Sequence, residues 1–289
     1  RHLPLFFSSL TEWRSLPALA DVPLRDLMPK QEQKIIHKRY RVALFGGCAN
    51  DFIYPELGID LLKVLNHFGV EICFPEKQNC CGIPALYSGD RETAQEMARQ
   101  NVVAMLEDNP DYILTTCPTC TMSLQRDSVE LLSDEPELLA KAKKMAEITC
   151  DASRFLRDIL QVDLRQLENA KESTGQPLKV TYHDSCHLKR GAGVWEQPRQ
   201  LLQDSGHEVV EMEHADRCCG FGGSYSFTSH PNIANAILAD KLNDIKQSGA
   251  DCVAMDCPGC MMQIGGGLDH AGSPVRTAHT ITLLAETLE

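Results

Sequence analysis

Several things are missing or scarce in this 289-residue chain. No apolar run reaches the roughly 18 residues that a membrane span needs, so any membrane association has to go through a partner. The opening stretch, "RHLPLFFSSLTEWRSLP", holds only a short apolar patch and no cleavage pattern, which gives no secretory signal. It also lacks an initiator Met, and the expectation is a fragment of a longer chain. Positive charge is in deficit: 28 Lys and Arg stand against 40 Asp and Glu, a net charge of −12. Such a surface repels a phosphate backbone, which excludes nucleic acid as a partner class. The one basic stretch, "KQEQKIIHKRYR" (Lys30 to Arg41), reads as a solvated linker entering the first strand.

Cysteine, by contrast, is abundant. There are 13, an odd number, in a chain too long to need disulfides for its stability. With no secretory signal, this usage implies a reducing, cytoplasmic setting in which cysteines serve as metal ligands or reactive groups rather than staples.

Their order repeats. Cys48 precedes Cys80 by 32 positions, and Cys186 precedes Cys218 by the same 32. Each is followed by an adjacent pair and a glycine, "CCGIPALYSGD" from Cys80 and "CCGFGGSYSF" from Cys218, and then by "CPTC" or "CPGC". Two sets of five result: Cys48, Cys80, Cys81, Cys117 and Cys120, then Cys186, Cys218, Cys219, Cys257 and Cys260. Cys73, Cys150 and Cys252 fall outside the pattern, and the apolar runs around Cys73 and Cys252 read as those of buried structural thiols.

The hydrophobic periodicity repeats as well. "RVALFGG", "VEICFP" and "DYILTT" read as strands, and "PELGIDLLKVLNHFG" and "DRETAQEMARQNVVAMLED" as helices, the second capped by Asp90. The second half follows the same course: strand "LKVTYHD", helix "QPRQLLQDSG", strand "HEVVEME", helix "NIANAILADKLNDIKQSG" and strand "ADCVAMD". The expected fold is α/β, two tandem pseudo-symmetric repeats, each a small, mostly parallel sheet flanked by helices. The polar, turn-rich "NAKESTGQP" (Asn169 to Pro177) marks the boundary, giving a connector over 1–39, a first repeat over 40–168 and a second over 169–289.

In this layout Cys48, Cys117, Cys186 and Cys257 follow strand carboxyl ends, the edge where open α/β sheets place ligands. Cys120 and Cys260 fall in the first turn of a following helix, where the helix end favours a thiolate. Adjacent side chains diverge, so a Cys-Cys pair fits one tetrahedral ion poorly, and five thiolates exceed the four that such an ion takes. A multi-iron cluster in each half answers both points. Structural zinc in one or both halves, and a thiol–disulfide device, are the alternatives.

The arrangement resembles the cysteine-rich CCG-domain family, which includes the B subunit of heterodisulfide reductase and the iron–sulfur subunits of glycolate oxidase, lactate utilisation and anaerobic glycerol-3-phosphate dehydrogenase. The stretches that carry the resemblance are "FGGCANDFIYPELGIDLLKVLNHFGV", "QNCCGIPALYSGD", "CPTC", "YHDSCHLKRG", "RCCGFGGSYSF", "DCPGC" and "AHTITLLAETL", spread over residues 41–289. The resemblance implies that both five-cysteine sets are ligands of iron–sulfur clusters, [4Fe-4S] and of noncubane type in heterodisulfide reductase, one per repeat, with zinc the alternative in one repeat. It implies an electron-transfer module of a lactate- or glycolate-type 2-hydroxy-acid dehydrogenase, passing electrons from a flavin-containing partner subunit or domain toward a quinone. Alternatives are a catalytic subunit that splits a disulfide, as in heterodisulfide reductase, and a zinc-bearing scaffold. Dehydrogenase relatives carry a ferredoxin-like iron–sulfur domain, and no such motif precedes Cys48. The implied location is cytoplasmic, peripheral at the membrane through partners.

Other residues carry smaller expectations. His183 and His187 bracket Cys186 in "HDSCH" and are the weak candidates for a catalytic role; hydrogen-bonded structural histidines are the bland reading. His279 is expected to cap the last helix, and Asp184 and Asp256 either to support neighbouring cysteines or caps or to transfer a proton. Met261 and Met262 are expected in the core, Tyr87 and Tyr225 packed beside their sites, and Gly265 to Gly267 in a loop.

Overall fold

The computed structural model describes residues 12–164, 177–223 and 225–288. The chain forms two compact units, one over Ala20–Leu160 and one over Gln161–Glu289 together with residues before 20. Most of the segment at which the sequence changes composition, 169–176, lies outside the described residues.

The first unit is built on four parallel strands: β1 (Tyr40–Leu44), β2 (Val70–Cys73), β3 (Tyr112–Thr115) and β4 (Thr149–Asp151), in the order β2-β1-β3-β4. Tyr40 pairs with Val70, Val42 with Tyr112 and Ile113 with Thr149. Parallel neighbours require crossover connections, and helices supply them: α1 (Gly47–Phe52), α2 (Glu56–His67), α3 (Ile83–Tyr87), α4 (Arg91–Leu106), α5 (Pro118–Met122) and α6 (Pro136–Ile148). Helix α2 turns Leu57, Leu61, Val64 and Leu65 inward, each fully buried and each contributing about 1.5–3 kcal/mol by leaving water. Helix α4 starts where Asp90 accepts a hydrogen bond from the Thr93 amide, the cap expected from the sequence.

The second unit repeats this plan. Strands β5 (Lys179–Tyr182), β6 (Glu208–Val209), β7 (Cys252–Ala254) and β8 (Arg276–Ala278) run parallel in the order β6-β5-β7-β8. Lys179 pairs with Glu208, Val180 with Cys252 and Cys252 with Arg276. Its helices are α7 (Glu196–Asp204), α8 (Pro231–Ser248), α9 (Pro258–His270) and α10 (Thr280–Glu286). Strand β6 is shorter than "HEVVEME" suggests: it is an edge strand with only β5 beside it, and the chain leaves the sheet after the Val210 amide bonds Val180.

One expectation is overturned outright. Gly265 to Gly267 lie inside α9 rather than in a loop. Their missing side chains let the helix pack tightly: a Cβ on Gly267 would sit 2.8 Å from Leu238, one on Gly265 3.0 Å from Thr277, and one on Gly266 would overlap the Ser15 carbonyl oxygen. The cost of glycine within a helix is offset by close approach on three sides. Among the described residues no helix is long and apolar enough to cross a membrane.

Candidate metal centres

Strand order decides where the sites lie. In each sheet the chain moves from the first strand to one side and then crosses to the other, so the switch point falls between β1 and β3, and again between β5 and β7. A crevice at the carboxyl ends of the strands is the consequence. Cys48 and Cys117 follow β1 and β3, and Cys186 and Cys257 follow β5 and β7, so each switch point is flanked by two cysteines. The adjacent pairs arrive on the loops after β2 and β6. Cys117 and Cys257 are the residues just before α5 and α9, each followed by a proline that starts its helix, and Cys120 and Cys260 stand in the first turns.

The structure brings each set of five together. In the first, thiol contacts run in an unbroken chain from Cys48 to Cys80, Cys81, Cys120 and Cys117. In the second, the chain runs from Cys218 to Cys219, Cys260 and Cys257, and Cys186 lies near enough for its thiol to be influenced by Cys257 and Cys219. The Cys219 and Cys260 sulfurs are 3.3 Å apart. All 13 cysteines are free thiols. Both sets are graded in depth: Cys81, Cys120, Cys219, Cys257 and Cys260 are buried, whereas Cys48, Cys186 and Cys218 reach the surface.

Such crowding forces thiols to share protons. Cys80 is held as a thiolate, its pKa pulled to about 3 by hydrogen bonds from the Cys48 thiol, then the Cys81 thiol, with help from the Gly82 amide. Cys117 is lowered by the Cys120 thiol and by the amides of the α5 N-terminus. Cys219 is lowered by the Cys218 thiol first, then by Cys260 and His183. The partners that keep the shared protons, Cys48, Cys81, Cys120, Cys218 and Cys260, are raised in turn. The three cysteines outside the pattern have no cysteine partner to share a proton with. Burial raises Cys73 to about 11 and Cys150 and Cys252 to about 12, the behaviour of inert structural thiols.

Backbone geometry makes room for the sulfurs. Gly47 has φ of +65°, and a Cβ there would lie 2.8 Å from Cys120 Sγ, so only glycine lets that sulfur come up beside α1. Buried polar side chains fix the loops. Gln78 accepts from the Gly46 amide at 2.8 Å and donates to Leu44 and Pro75 carbonyls, tying the end of β1 to the approach to Cys80. Asn101 holds the Asn79 amide and the Cys80 carbonyl, both at 2.9 Å, and the Ser123 hydroxyl donates to the Cys81 carbonyl at 2.7 Å. Lys241, fully buried on α8, does the matching task in the second unit: its ammonium donates to the His214 and Ala215 carbonyls, at 2.6 and 3.3 Å, just ahead of Cys218. Neither Asn101 nor Lys241 was singled out from the sequence. The signal is there, since each polar residue falls on the apolar stripe of its helix, beside Ala98 and Val102 or Leu238 and Ile245.

The residues around "HDSCH" separate into different roles. Asp184 is buried and clamped by Arg199 at 2.6 Å and Lys189 at 3.2 Å, and Arg199 also stacks on Tyr182 at 4.9 Å, so Asp184 orders the loop that carries Cys186. His187 opens a wide helical turn, His187–Ala192, and is only partly buried. His279 caps α10, accepting from the Ile281 amide at 3.1 Å, and Asp256 accepts from the Thr280 amide. Met261 is buried, as expected, whereas Met262 is only partly buried. Tyr87 and Tyr225 are not packed in: both are about two-thirds exposed, at 68% and 66%, Tyr87 at the end of α3 and Tyr225 at the start of the short helical turn Tyr225–Ser229.

His183 is different. It is 1% exposed, neither ring nitrogen makes a hydrogen bond of good geometry, and a ring nitrogen lies within 4.8 Å of the Cys219 and Cys260 sulfurs, close enough to act on the Cys219 thiol. An unsatisfied buried polar group costs about 1–3 kcal/mol, which a bound group in this crevice could remove. The donor chemistry therefore fits a thiophilic metal group in both units: five soft sulfur donors each, with Cys80, Cys117 and Cys219 drawn toward the thiolate, amide donors close by, and in the second a buried imidazole.

Comparison with known proteins agrees with this geometry. The family model for the cysteine-rich (CCG) domain matches twice, at residues 42–125 and 180–265, one match on each sheet. The chain is similar to proteins named lactate utilization protein A: that of Halalkalibacterium halodurans is 33% identical over 250 residues, covering 86% of this chain and 96% of the relative. The Geobacillus kaustophilus protein is 35% identical over 248 residues, 84% and 98%, and that of Anoxybacillus flavithermus 36% identical over 247 residues, 84% and 98%.

Proposed function

Because this chain belongs to the cysteine-rich CCG domain family, we propose that it is an iron–sulfur electron-transfer module of a lactate-utilisation system, holding one cluster in each repeat. The observation that carries the reading is the gathering of five thiols at each switch point, all ten being the proposed ligands. On this reading residues 40–168 and 169–289 are the two cluster-holding repeats and residues 1–39 the segment leading into them.

When bound, an iron–sulfur cluster supplies one-electron chemistry; the protein's share is to hold, orient and insulate it. Cys81, Cys120, Cys219, Cys257 and Cys260 anchor from the buried side, where water is excluded. Cys48, Cys186 and Cys218 close the exposed side, the shortest path for an electron to or from a partner. Asn101 and Ser123 keep the backbone of the first adjacent pair in place, and Lys241 the loop leading to the second, so little reorganisation accompanies a change of charge. Five thiolates concentrate negative charge, and the amides at the α5 N-terminus in the first unit and of Gly220 in the second offset it.

The relatives' names favour lactate as the electron source over a disulfide substrate. In the fuller form of the proposal, electrons arrive from a flavin-containing subunit and leave toward a quinone, by way of a ferredoxin-like iron–sulfur domain. The test uses anaerobic extract of cells that make the chain, with the chain then isolated rapidly. Added lactate should bleach its visible absorbance, and an added quinone analogue should restore it. Bound iron that lactate never reduces, but that a disulfide reoxidises after chemical reduction, would replace this reading by the disulfide-splitting one.

A further inference from the structure

The two repeats differ at one buried place beside the sulfurs. Phe45 and His183 each stand one residue past the end of the first strand of their sheet, three residues before the leading cysteine. Their backbones are held alike: the Phe45 amide bonds the Leu114 carbonyl, and the His183 amide bonds the Ala254 carbonyl, both at 2.9 Å. Both side chains are buried to 1% or less. For packing alone a phenyl ring is the better choice, because it leaves no polar atom behind. His183 leaves two, neither in a hydrogen bond of good geometry, with a ring nitrogen within 4.8 Å of Cys219 and Cys260.

We infer that His183 donates a ring N–H to the Cys219 sulfur when the second site is filled, and so gives that centre a higher reduction potential than the first. The inference rests on the iron–sulfur reading above. Reduction adds negative charge to the cluster and its thiolates, and a hydrogen bond to a ligand sulfur stabilises the more negative state. Phe45 has no hydrogen to give, so the first centre lacks this stabilisation. The consequence is direction: the second repeat is where an electron rests, and the first is the higher-energy station. His183 is in this account a positioning and tuning residue, acting through Cys219.

The test compares the full chain with H183F, H183Q and F45H, all reconstituted anaerobically. Iron and sulfide are counted, and a reductive titration is followed by electron paramagnetic resonance. Wild type should show two unequal transitions. H183F should keep its iron and sulfide and move only the upper transition to lower potential. H183Q, whose amide can still donate, should keep it near the wild-type position, and F45H should raise the lower one. In metal-free protein H183F should melt no earlier than wild type, since it removes an orphan polar group. Coincident transitions in wild type, or an unmoved upper transition in fully loaded H183F, overturn the inference. Loss of iron from both H183F and H183Q also overturns it, by making the imidazole a direct ligand. Absence of iron and sulfide from wild type is a different failure, that of the cluster reading itself.

Discussion

Replacing the glycine after each cysteine pair by alanine should cost the two repeats unequally. Gly82 and Gly220 share the left-handed conformation, at φ of +84° and +85°. An alanine there loses about 1–2 kcal/mol through its Cβ alone. The surroundings then differ. A Cβ on Gly82 would meet the Ala94 carbonyl oxygen at 3.4 Å, an ordinary contact. On Gly220 it would overlap the Ala234 carbonyl oxygen and come within 3.2 Å of the Ala234 carbonyl carbon and Ile237 Cβ. That oxygen belongs to the helix backbone and cannot swing aside, so either α8 or the Cys218–Cys219 loop must shift, at a further cost of about 1–3 kcal/mol. G82A should therefore lose about 1–2 kcal/mol and G220A about 2–5. Native-state hydrogen exchange on metal-free protein reads each repeat separately, through the amides of α4 and α8, and avoids treating two units as one transition. The displaced loop also predicts that reconstituted G220A holds markedly less iron than G82A. Equal destabilisation, or a greater loss in G82A, would refute the steric argument.

Other outcomes follow from the same structure. R199L should destabilise the second repeat by about 1–3 kcal/mol, since it strips the 2.6 Å partner from buried Asp184, and metal retention should fall with it. His207 accepts from the Leu178 amide through Nδ1, and burial lowers its pKa from the ordinary 6.5, so the unfolded chain takes up a proton before the folded one does. Stability of the second repeat should thus hold above pH 6.5 and decline as pH falls below it; H207N should flatten that decline, and a pH series of denaturant melts checks both. In folded protein at neutral pH, Cys150 and Cys252 should resist iodoacetamide, because burial holds both as thiols with pKa values near 12; mass spectrometry finding either one labelled before unfolding would contradict this. In the complete system C219S should impair electron transfer more than C81S, because the glycine-rich "GFGGSYS" and the two histidines make the second site the more specialised; the reverse ranking in a turnover assay would exchange the roles.

Much of this architecture was legible before any coordinates. Spacing alone paired the ten cysteines, because a ligand set must recur at fixed offsets when each half folds the same way. Helices α2, α4 and α8 were legible because they carry apolar residues at three- and four-residue intervals over a dozen positions or more. Helix α6, an ordinary helix of 13 residues, went unread, and the other elements that escaped are short or unusual. Strands β4 and β8 have three residues each, too few for any period to show, and their pairing is decided by the sheet. The glycine triplet in α9 has the composition of a loop, but tertiary packing against Leu238, Thr277 and Ser15 outweighs it. Lys241 and Asn101 needed a different question, namely which polar residues violate an apolar stripe. The special position of His183 becomes visible only once Phe45 is seen in the same place.

The central claim is that both five-cysteine sets hold iron–sulfur clusters, and chemical analysis of the chain purified without oxygen tests it most directly. Iron and acid-labile sulfide should be present in equal amounts, at about four of each per set and about eight per chain. C81S and C219S should each remove roughly half of both and leave the other half intact. Zinc in place of iron in both sets after anaerobic reconstitution, or iron without sulfide, would contradict the account.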